Sequence, residues 1–313
     1  MIYTVTLNPA IDLVVRLDGP LQAGTVNRAA GEEYVLGGKG VNVSGVLAEL
    51  GCPSVALGFV AGATGVWLEQ GLAARGLRTD FIRLPAGMTR INLKLKDGRE
   101  TEINGAGPTV PPEAVEALLR KLDALQSGDV LVLAGSLPAG LPADTYETML
   151  ARLEGRGVQT VVDASGPLLE QALRCRPFLI KPNREELAAL FGQPVDTFAR
   201  ARAGAARLQA AGARHVLVSM GADGAVLLAE DGTCYAAAAP SGAVRSAVGA
   251  GDAMVAGFLA GWLAGGVPAP ALCWGIAAGS AWAFAGGPPS GETVRRFLGQ
   301  IAAKPLATGG EIE

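Results

Sequence analysis

One carboxylate, Asp252, stands at a glycine-rich helix start in the segment Ser246-Ala-Val-Gly-Ala-Gly-Asp252. Gly249, Ala250 and Gly251 carry little or no side chain, so backbone N–H groups of the first helical turn would point at an anion, where the helix dipole favours negative charge. A transferring phosphoryl group would fit this nest, and Asp252 could accept the proton of an attacking hydroxyl. The simpler alternative is an Asp helix cap after a glycine turn.

A second glycine segment, Gly37-Gly-Lys-Gly-Val-Asn-Val-Ser44, precedes a predicted helix. Its glycines would let a ligand approach the backbone. Asp12 and Asn42 offer an acceptor and a donor for neighbouring hydroxyl groups. Alternatively, Asp12 is an ordinary turn residue and Asn42 a polar residue early in a helix.

Asn183 and Glu186 stand at positions i and i+3 near a predicted helix start, which puts them on one face of its first turn. Their oxygens suit Mg²⁺, which is usually held through waters by one or two such groups together with phosphates. A capping Asn is the alternative. Lys181, shortly before this turn, could contact a nucleotide phosphate.

A turn follows the strand-like run His215–Ser219. Its two glycines would leave room for the ribose and phosphates of a nucleotide. Alternatively, the segment is a simple β-turn. The two interpretations are compatible, because a nucleotide could lie on such a turn. The candidate cofactor-binding segment comprises Ser219, Met220, Gly221, Ala222, Asp223 and Gly224.

The two glycine segments together resemble the two signatures of the ribokinase-like carbohydrate kinases, in particular the phosphofructokinase B group. The resemblance runs in order from residue 3 to about residue 290, through Asn8-Pro-Ala-Ile-Asp12, Val26-Asn-Arg28, Thr89-Arg-Ile-Asn-Leu-Lys94, Gly135-Ser-Leu-Pro-Ala-Gly140, Lys181-Pro-Asn-Arg-Glu-Glu186 and Val218-Ser-Met-Gly-Ala-Asp-Gly-Ala225. One departure is Ala247, where the second signature usually has a small hydroxyl or β-branched residue. Because Asp252 and its glycines are intact, we interpret this as a local packing difference.

The resemblance implies a role for each matched residue. It makes Asp252 the catalytic base and implies ATP and Mg²⁺ as cofactors. It also implies a sugar held at Asp12, Gly37, Gly38 and Asn42, whose existing phosphate is bound by Lys39 and Arg90, with Arg28 nearby and Ser136 as a further contact. Fixed cationic donors can hold such a dianion, Arg bidentately, whereas a nucleoside or a plain sugar needs no such clamp.

Three of the motifs, Thr89–Lys94, Ala134–Pro138 and Lys181–Asn183, resemble those of 1-phosphofructokinases most. The implied reaction is fructose 1-phosphate with ATP to fructose 1,6-bisphosphate and ADP. A tagatose-6-phosphate kinase and a 6-phosphofructokinase of the same family stay open as alternatives. Lys39 and Arg90 disfavour a nucleoside kinase, and the intact Gly249–Asp252 segment disfavours a non-catalytic sugar-binding protein.

The elements that must position these residues follow a regular alternation. Short strand-like runs alternate with Ala/Leu-rich helical runs from Val55–Val60 to Glu185–Phe191. This predicts an α/β fold with parallel βαβ units and helices on both faces of a mostly parallel sheet, and the resemblance implies the ribokinase-like three-layer α/β/α arrangement. The motifs follow predicted strands, at whose carboxyl ends open α/β sheets bind ligands.

Two stretches, 12–36 and 77–104, break this alternation with period-2 strands and no helix, most clearly before the hairpin signal Asp97-Gly98. They predict a small antiparallel sheet that forms a discontinuous β lid over the main sheet. The resemblance implies the same lid and a homodimer through it. We expect one domain over residues 1–313, with disorder in the tail Lys304–Glu313.

Composition narrows the function classes. A formal net charge of −3 without a long basic run predicts no nucleic-acid binding. The uncharged run Ala253–Ser290 is split at Gly265–Pro270 into Ala/Gly-rich halves, which favours packed helices over a membrane span. Four cysteines without a C-x-x-C pair, and no basic and apolar leader, indicate a cytoplasmic enzyme. The single histidine, His215, excludes a multi-histidine metal site and is expected to be structural.

Overall fold

The computed structural model describes residues 1–307. Its strands are β1 Ile2–Thr6, β2 Ala10–Arg16, β3 Gly31–Gly37, β4 Ser54–Ala61, β5 Arg78–Thr79, β6 Ile82–Leu84, β7 Arg90–Lys96, β8 Glu100–Ile103, β9 Val130–Ala134, β10 Gln159–Asp163, β11 Leu179–Ile180, β12 His215–Ser219, β13 Ala225–Leu228, β14 Cys234–Ala237 and β15 Lys304–Pro305. Its α-helices are α1 Lys39–Glu49, α2 Gly62–Ala74, α3 Pro112–Asp123, α4 Thr145–Ala151, α5 Pro167–Leu173, α6 Arg184–Phe191, α7 Phe198–Ala210, α8 Ala250–Gly265, α9 Pro268–Ala285 and α10 Gly291–Leu298.

The large sheet has the strand order β15-β14-β13-β12-β11-β10-β9-β1-β4-β5, with β6 also paired to β4. All pairs from β12 to β5 are parallel, and the β12–β15 edge is antiparallel. The predicted strands fall in this sheet as short apolar runs, typical of strands buried on both faces. The α/β class with a mostly parallel sheet is confirmed.

Two apolar clusters lie on opposite faces of this sheet. One joins strand residues such as Leu133 to helices α3 to α7, and the other joins residues such as Val132 to α1, α8, α9 and α10. Neighbouring residues of one strand point to opposite faces of the sheet, so a strand such as β9 contributes side chains to both clusters. The resulting order is helix, sheet, helix, as in the predicted three-layer arrangement.

The second sheet has the order β3-β2-β7-β8, with strands from both stretches that broke the alternation. Its hairpin β7–β8 pairs Lys96 with Glu100 around the predicted turn. Two details differ from the prediction. The pair β2–β7 is parallel, because its strands come from separate insertions rather than from one hairpin. Strands β5 and β6, within 77–104, pair with β4 in the large sheet instead.

The uncharged run forms the packed helices α8 and α9. A Cβ on Gly257 would lie 2.3 Å from the carbonyl oxygen of Trp274, so glycine is what lets the two backbones approach so closely. Within residues 1–307, no helix has both the length and the apolar character that crossing a bilayer requires.

Two further expectations concern His215 and the tail. His215 is buried, with its ring 4.8 Å from Phe178 and 4.9 Å from Trp262, which is the structural role expected of it. The predicted disorder from Lys304 onward is wrong for Lys304 and Pro305, which pair with β14 as β15. The rest of that call, from residue 308, lies outside the described residues.

Candidate active site

The glycine turn before α8 is fixed against α9. Gly249 has φ of +89°, and a Cβ there would lie 2.4 Å from the indole ring of Trp282. The indole N–H of Trp282 donates to the carbonyl oxygen of Val248 at 2.6 Å. Only glycine combines this backbone conformation with this contact, so the turn that exposes the first N–H groups of α8 is set by the sequence.

Asp252, in the first turn of α8, is buried and accepts a hydrogen bond from Asn42 Nδ2 at 2.9 Å. Burial and then the nearby charge of Asp163 raise the pKa of Asp252 to about 7, against the opposing effects of Asn42, Lys39 and Lys181. A carboxylate tuned toward neutral pH is suited to accept a proton from a hydroxyl. The arrangement therefore supports a general base at this position.

Asp163, at the carboxyl end of β10, is a candidate functional residue that the sequence reasoning missed. Its carboxylate is buried and lies 3.3 Å from Lys39 Nζ and 3.2 Å from Lys181 Nζ. Burial would raise the pKa of Asp163, but the charges of Lys181 and Lys39 outweigh it and hold the pKa below its usual value. A lone Asp after an apolar strand has no motif spacing, and its strand-end position was the one available signal.

Lys39 extends from the start of α1 toward this carboxylate. Its aliphatic chain passes within 4 Å of the point where Gly135 would carry a Cβ. Burial lowers the pKa of Lys39, but Asp163 and then Asp252 outweigh this effect, so the pKa is raised and the ammonium group keeps its charge. Its side chain is 43% exposed, which leaves the ammonium open to a ligand.

Asp12, Gly37 and Asn42 come together where β2, β3 and α1 meet. A Cβ on Gly37 would lie 3.8 Å from Asp12 Oδ2 and 3.9 Å from Asn42 Oδ1. Both side chains therefore border the space that Gly37 leaves free, and Asn42 connects them to Asp252. The structure brings the predicted hydroxyl-binding residues and the predicted base into one site.

Two of the neighbouring glycines have a packing role. A Cβ on Gly40 would lie 2.7 Å from Thr6 Oγ1, and one on Gly38, whose φ is +125°, would lie 2.7 Å from Thr6 Cγ2. These glycines let α1 pack against β1. At both positions the direction in which a side chain would point is filled by β1, so any contact with a ligand would come from the other side of the backbone.

The three further residues predicted to hold a phosphate differ in their surroundings. Arg90 is half-buried and donates through Nε to the carbonyl oxygen of Asn8 at 3.1 Å and through Nη1 to that of Gly105 at 3.4 Å. Burial lowers the pKa of Arg90, and Asp12 partly offsets this. Ser136 is exposed just after β9. Arg28 is exposed between β2 and β3, without a hydrogen bond or ion pair to any other residue in 1–307.

A cavity of about 690 Å³ reaches Gly251, the residue before Asp252, and is lined by the nest residues together with Lys39, Asp163 and Lys181. Four residues of the predicted nucleotide segment line it: Ser219, Gly221, Ala222 and Gly224. The other two do not. The Met220 side chain is buried in the core, and Asp223 forms an ion pair with Arg184.

The far wall of this cavity was not predicted. It consists of the connection 239–247 and a mostly apolar face of α9 formed by Ile276, Gly279, Ser280, Ala283 and Phe284. Ligand pockets are commonly apolar with a few placed polar groups, as here. In the sequence these residues look like any core-facing helix, so no signal distinguished them.

Comparison with known proteins decides the family. Residues 5–291 match the family described as pfkB family carbohydrate kinase. The chain belongs to this family. It is therefore a phosphotransferase that acts on a sugar hydroxyl, and as a member of a sugar kinase family it uses ATP.

Relatives of this kinase extend over its whole length. The chain is 42% identical over 307 residues to 1-phosphofructokinase of Bacillus subtilis, covering 98% of this chain and 100% of the relative. It is 38% identical over 288 residues to D-tagatose-1-phosphate kinase of Bacillus licheniformis, covering 92% and 94%. A crystal structure of phosphofructokinase-2 from Escherichia coli with substrates and products has a TM-score of 0.88 at 27% identity, covering 96% and 98%. The ribokinase-like fold is confirmed.

The kinase's predicted metal ligands form a capping box at the start of α6. Asn183 Oδ1 accepts from the N–H of Glu186 at 2.7 Å, and Glu186 Oε2 accepts from the N–H of Asn183 at 2.9 Å. This is the capping arrangement, and it leaves Glu186 Oε1 outside the box. No cluster of three or more metal-ligating side chains exists within 1–307. A magnesium ion here would have to rely on phosphates and water, as Mg²⁺ commonly does.

Proposed function

We propose that this kinase phosphorylates fructose 1-phosphate at its C6 hydroxyl with ATP, giving fructose 1,6-bisphosphate and ADP. The observation that carries the proposal is the buried Asp252, which directly follows the cavity-lining Gly251 and accepts a hydrogen bond from Asn42 of the Asp12–Asn42 pair. A base at this junction can face both a sugar hydroxyl and the terminal phosphoryl group of a nucleotide.

The transfer uses groups that converge on Asp252. As the C6 hydroxyl oxygen attacks the γ-phosphorus, its proton passes to Asp252, the new oxygen–phosphorus bond forms, and the bond to the β-phosphate oxygen breaks to release ADP. The N–H groups of Gly249 and Gly251 would stabilise the charge on the transferring group. The predicted third donor, the N–H of Ala250, instead donates to the carbonyl oxygen of Ala247 at 3.1 Å. Lys181 Nζ lies 3.0 Å from the point where Gly251 would carry a Cβ, which places its ammonium beside this nest.

At the acceptor end, we assign Asp12, Gly37, Gly38 and Asn42 to the sugar. The phosphate already present would be bound by Lys39, Arg90 and Ser136, with Arg28 as an exposed fourth donor. Charge-assisted hydrogen bonds of this kind contribute about 1.5–3 kcal/mol each. The curated relatives support a C1 phosphate, since fructose 1-phosphate and tagatose 1-phosphate both carry it there.

We assign Ser219, Gly221, Ala222 and Gly224 to the nucleotide, with the α9 wall facing its base. The predicted assignment of Met220 and Asp223 is dropped because their side chains do not line the cavity. Bound Mg²⁺ would neutralise charge on the β- and γ-phosphates, and Glu186 would hold it through water, while Asn183 keeps Glu186 oriented by the cap.

We further propose that residues 1–313 form one kinase domain and that it dimerises through the β lid. On one lid face, Ile103 of β8 lies opposite Leu93 of β7. Ile103 is 60% exposed, and Ile91 on the same face is 42% exposed. Exposed apolar side chains of this kind are typical of interfaces. Sedimentation equilibrium of the wild type and of Ile103→Lys tests the dimer, which the charged variant should weaken.

A panel of acceptors tests the reaction. Purified enzyme with Mg²⁺ and ATP is assayed for ADP release with fructose 1-phosphate, tagatose 1-phosphate, fructose 6-phosphate, tagatose 6-phosphate and adenosine. We expect the highest kcat/KM with fructose 1-phosphate and tagatose 1-phosphate as the second candidate, since a relative at 38% identity carries that name. A higher kcat/KM for either 6-phosphate would overturn the choice of substrate. Turnover of adenosine alone would show that Lys39 and Arg90 do not bind a phosphate on the acceptor.

A further inference from the structure

Strand β7 holds both carboxylate oxygens of Asp12. Asn92 Nδ2 donates to Asp12 Oδ1 at 2.8 Å, and Lys94 Nζ lies 3.2 Å from Asp12 Oδ2. Asn92 and Lys94 are two residues apart on β7, so their side chains share one face of the lid sheet. Asp12 and Asn92 are direct partners in the β2–β7 register. This fixed pairing determines the direction of the carboxylate.

Both tethers are themselves held from the other side. Asn92 Oδ1 accepts from the N–H of Gly105 at 3.1 Å, and Lys94 Nζ lies 3.6 Å from Glu102 Oε1. Asn92 is buried, and the Lys94 side chain is only 12% exposed. These are ordered side chains with two partners each, unlike mobile surface charges, whose ion pairs contribute little.

A carboxylate offers about four lone-pair sites, so Asp12 keeps acceptor capacity after it binds Asn92 and Lys94. Its Oδ2 faces the space beside Gly37, where the sugar is assigned. If one tether were lost, the carboxylate would be held through one oxygen alone, and its remaining lone pairs would point less closely at fixed hydroxyl positions. A carboxylate that points in the wrong direction binds the sugar hydroxyls less well, even though the contacting residue itself is unchanged.

We propose that Lys94, together with Asn92, is a positioning residue that fixes Asp12 for the acceptor sugar and thereby sets the enzyme's affinity and selectivity for that sugar. The inference rests on the proposed function, because it takes Asp12 to contact the sugar. Lys94 acts through Asp12 and contacts neither the nucleotide cavity nor Asp252. Its effect therefore falls on KM for the sugar phosphate and spares kcat and KM for ATP.

The chain offers a matched control for this test. Lys96 follows Lys94 on the same strand and face, but it pairs with Glu100 at 3.8 Å, and its side chain is 34% exposed. For Lys94→Met we expect KM for fructose 1-phosphate to rise about tenfold or more, with kcat and KM for ATP within about twofold of wild type. Lys96→Met should match the wild type, and Lys94→Arg should recover part of the loss because it keeps the charge.

A double-mutant cycle separates positioning from a general structural effect. In an Asp12→Asn background, Lys94→Met should change KM by no more than about twofold, because the group it positions is already altered. The ratio of kcat/KM between fructose 1-phosphate and its C4 epimer tagatose 1-phosphate should also fall toward one in Lys94→Met. A full tenfold effect that persists in the Asp12→Asn background would overturn the inference, as would an unchanged KM in Lys94→Met.

Thermal unfolding checks that each variant is folded. If Lys94→Met does not fold, Asn92→Ser removes the other tether and decides the question, since the same selective rise in sugar-phosphate KM is expected. An Asn92→Ser enzyme with wild-type KM would then overturn the inference. A wild-type enzyme that transfers phosphate to none of the sugar phosphates would instead mark failure of the proposed function itself.

Discussion

The two ends of the active site are built by different means. At the acceptor end, polar side chains are fixed by other side chains: Asp12 by Asn92 and Lys94, and Asn42 by Asp252. At the nucleotide end, glycine turns and the apolar face of α9 line the cavity. The difference agrees with the ligands proposed for the two ends. Sugar hydroxyls must be bound in fixed directions, whereas phosphates accept from backbone N–H groups and a flat base needs an apolar wall.

The largest effect is expected where the two ends meet. Asp252→Asn keeps the size of the side chain but removes the proton acceptor, so kcat should fall by about 10² to 10⁴. KM for each substrate should stay within about threefold, because neither end is altered. Steady-state kinetics with both substrates varied measures this, and turnover close to that of the wild type would exclude Asp252 as the base.

Arg90→Ala should affect the acceptor end alone. Because it removes charge-assisted bonds to the sugar's phosphate, KM for fructose 1-phosphate should rise about 10- to 100-fold while KM for ATP is unchanged. Arg99→Ala, an exposed arginine in the lid hairpin, is the control and should resemble the wild type. A rise in KM for ATP instead would show that the clamp is assigned to the wrong end.

Phe284→Ala should affect the nucleotide end alone. The ring lines the cavity, and loss of its apolar surface should raise KM for ATP about 3- to 10-fold without changing KM for the sugar phosphate. Leu263→Ala, at an exposed position of α8, serves as the control. If both KM values rose together, the two ends would not be separable in the way described.

Asn42→Ala should change the pH dependence of catalysis, because Asn42 at the acceptor end binds the carboxylate of Asp252. Asp252 must be ionised to act as a base, so kcat/KM rises with pH through its raised pKa. The Asn42 hydrogen bond favours the ionised form, and its loss should raise that pKa further. We expect the acidic limb of kcat/KM to move up by about half to one pH unit. If the acidic limb of kcat/KM does not move, the Asn42 hydrogen bond does not affect the pKa of the catalytic base.

Sequence reasoning singled out residues whose chemical type is restrictive. Asp252 and its glycines stood out by their spacing at a helix start, and Asp12 and Asn42 by the resemblance to the kinase motifs; the structure brings Asp12, Asn42 and Asp252 together. The alternation of strands and helices predicted the layers, since a buried parallel sheet imposes short apolar runs.

What could not be predicted depends on long-range pairing. Asp163 meets Lys39, a residue 124 positions away, and nothing in the local sequence announces this contact. The parallel pairing of β2 with β7 joins two insertions, so no hairpin signal marks it. The α9 wall looks like core because apolar residues that face a cavity and those that face a neighbouring helix are the same types.

The central claim is that the acceptor end recognises the phosphate already present on the sugar. Calorimetric titration of the enzyme without nucleotide, first with fructose 1-phosphate and then with fructose, tests it most directly because no transfer can occur. We predict that fructose 1-phosphate binds at least about tenfold more tightly, and that Arg90→Ala removes most of this difference. Equal affinity for the two sugars would contradict the claim.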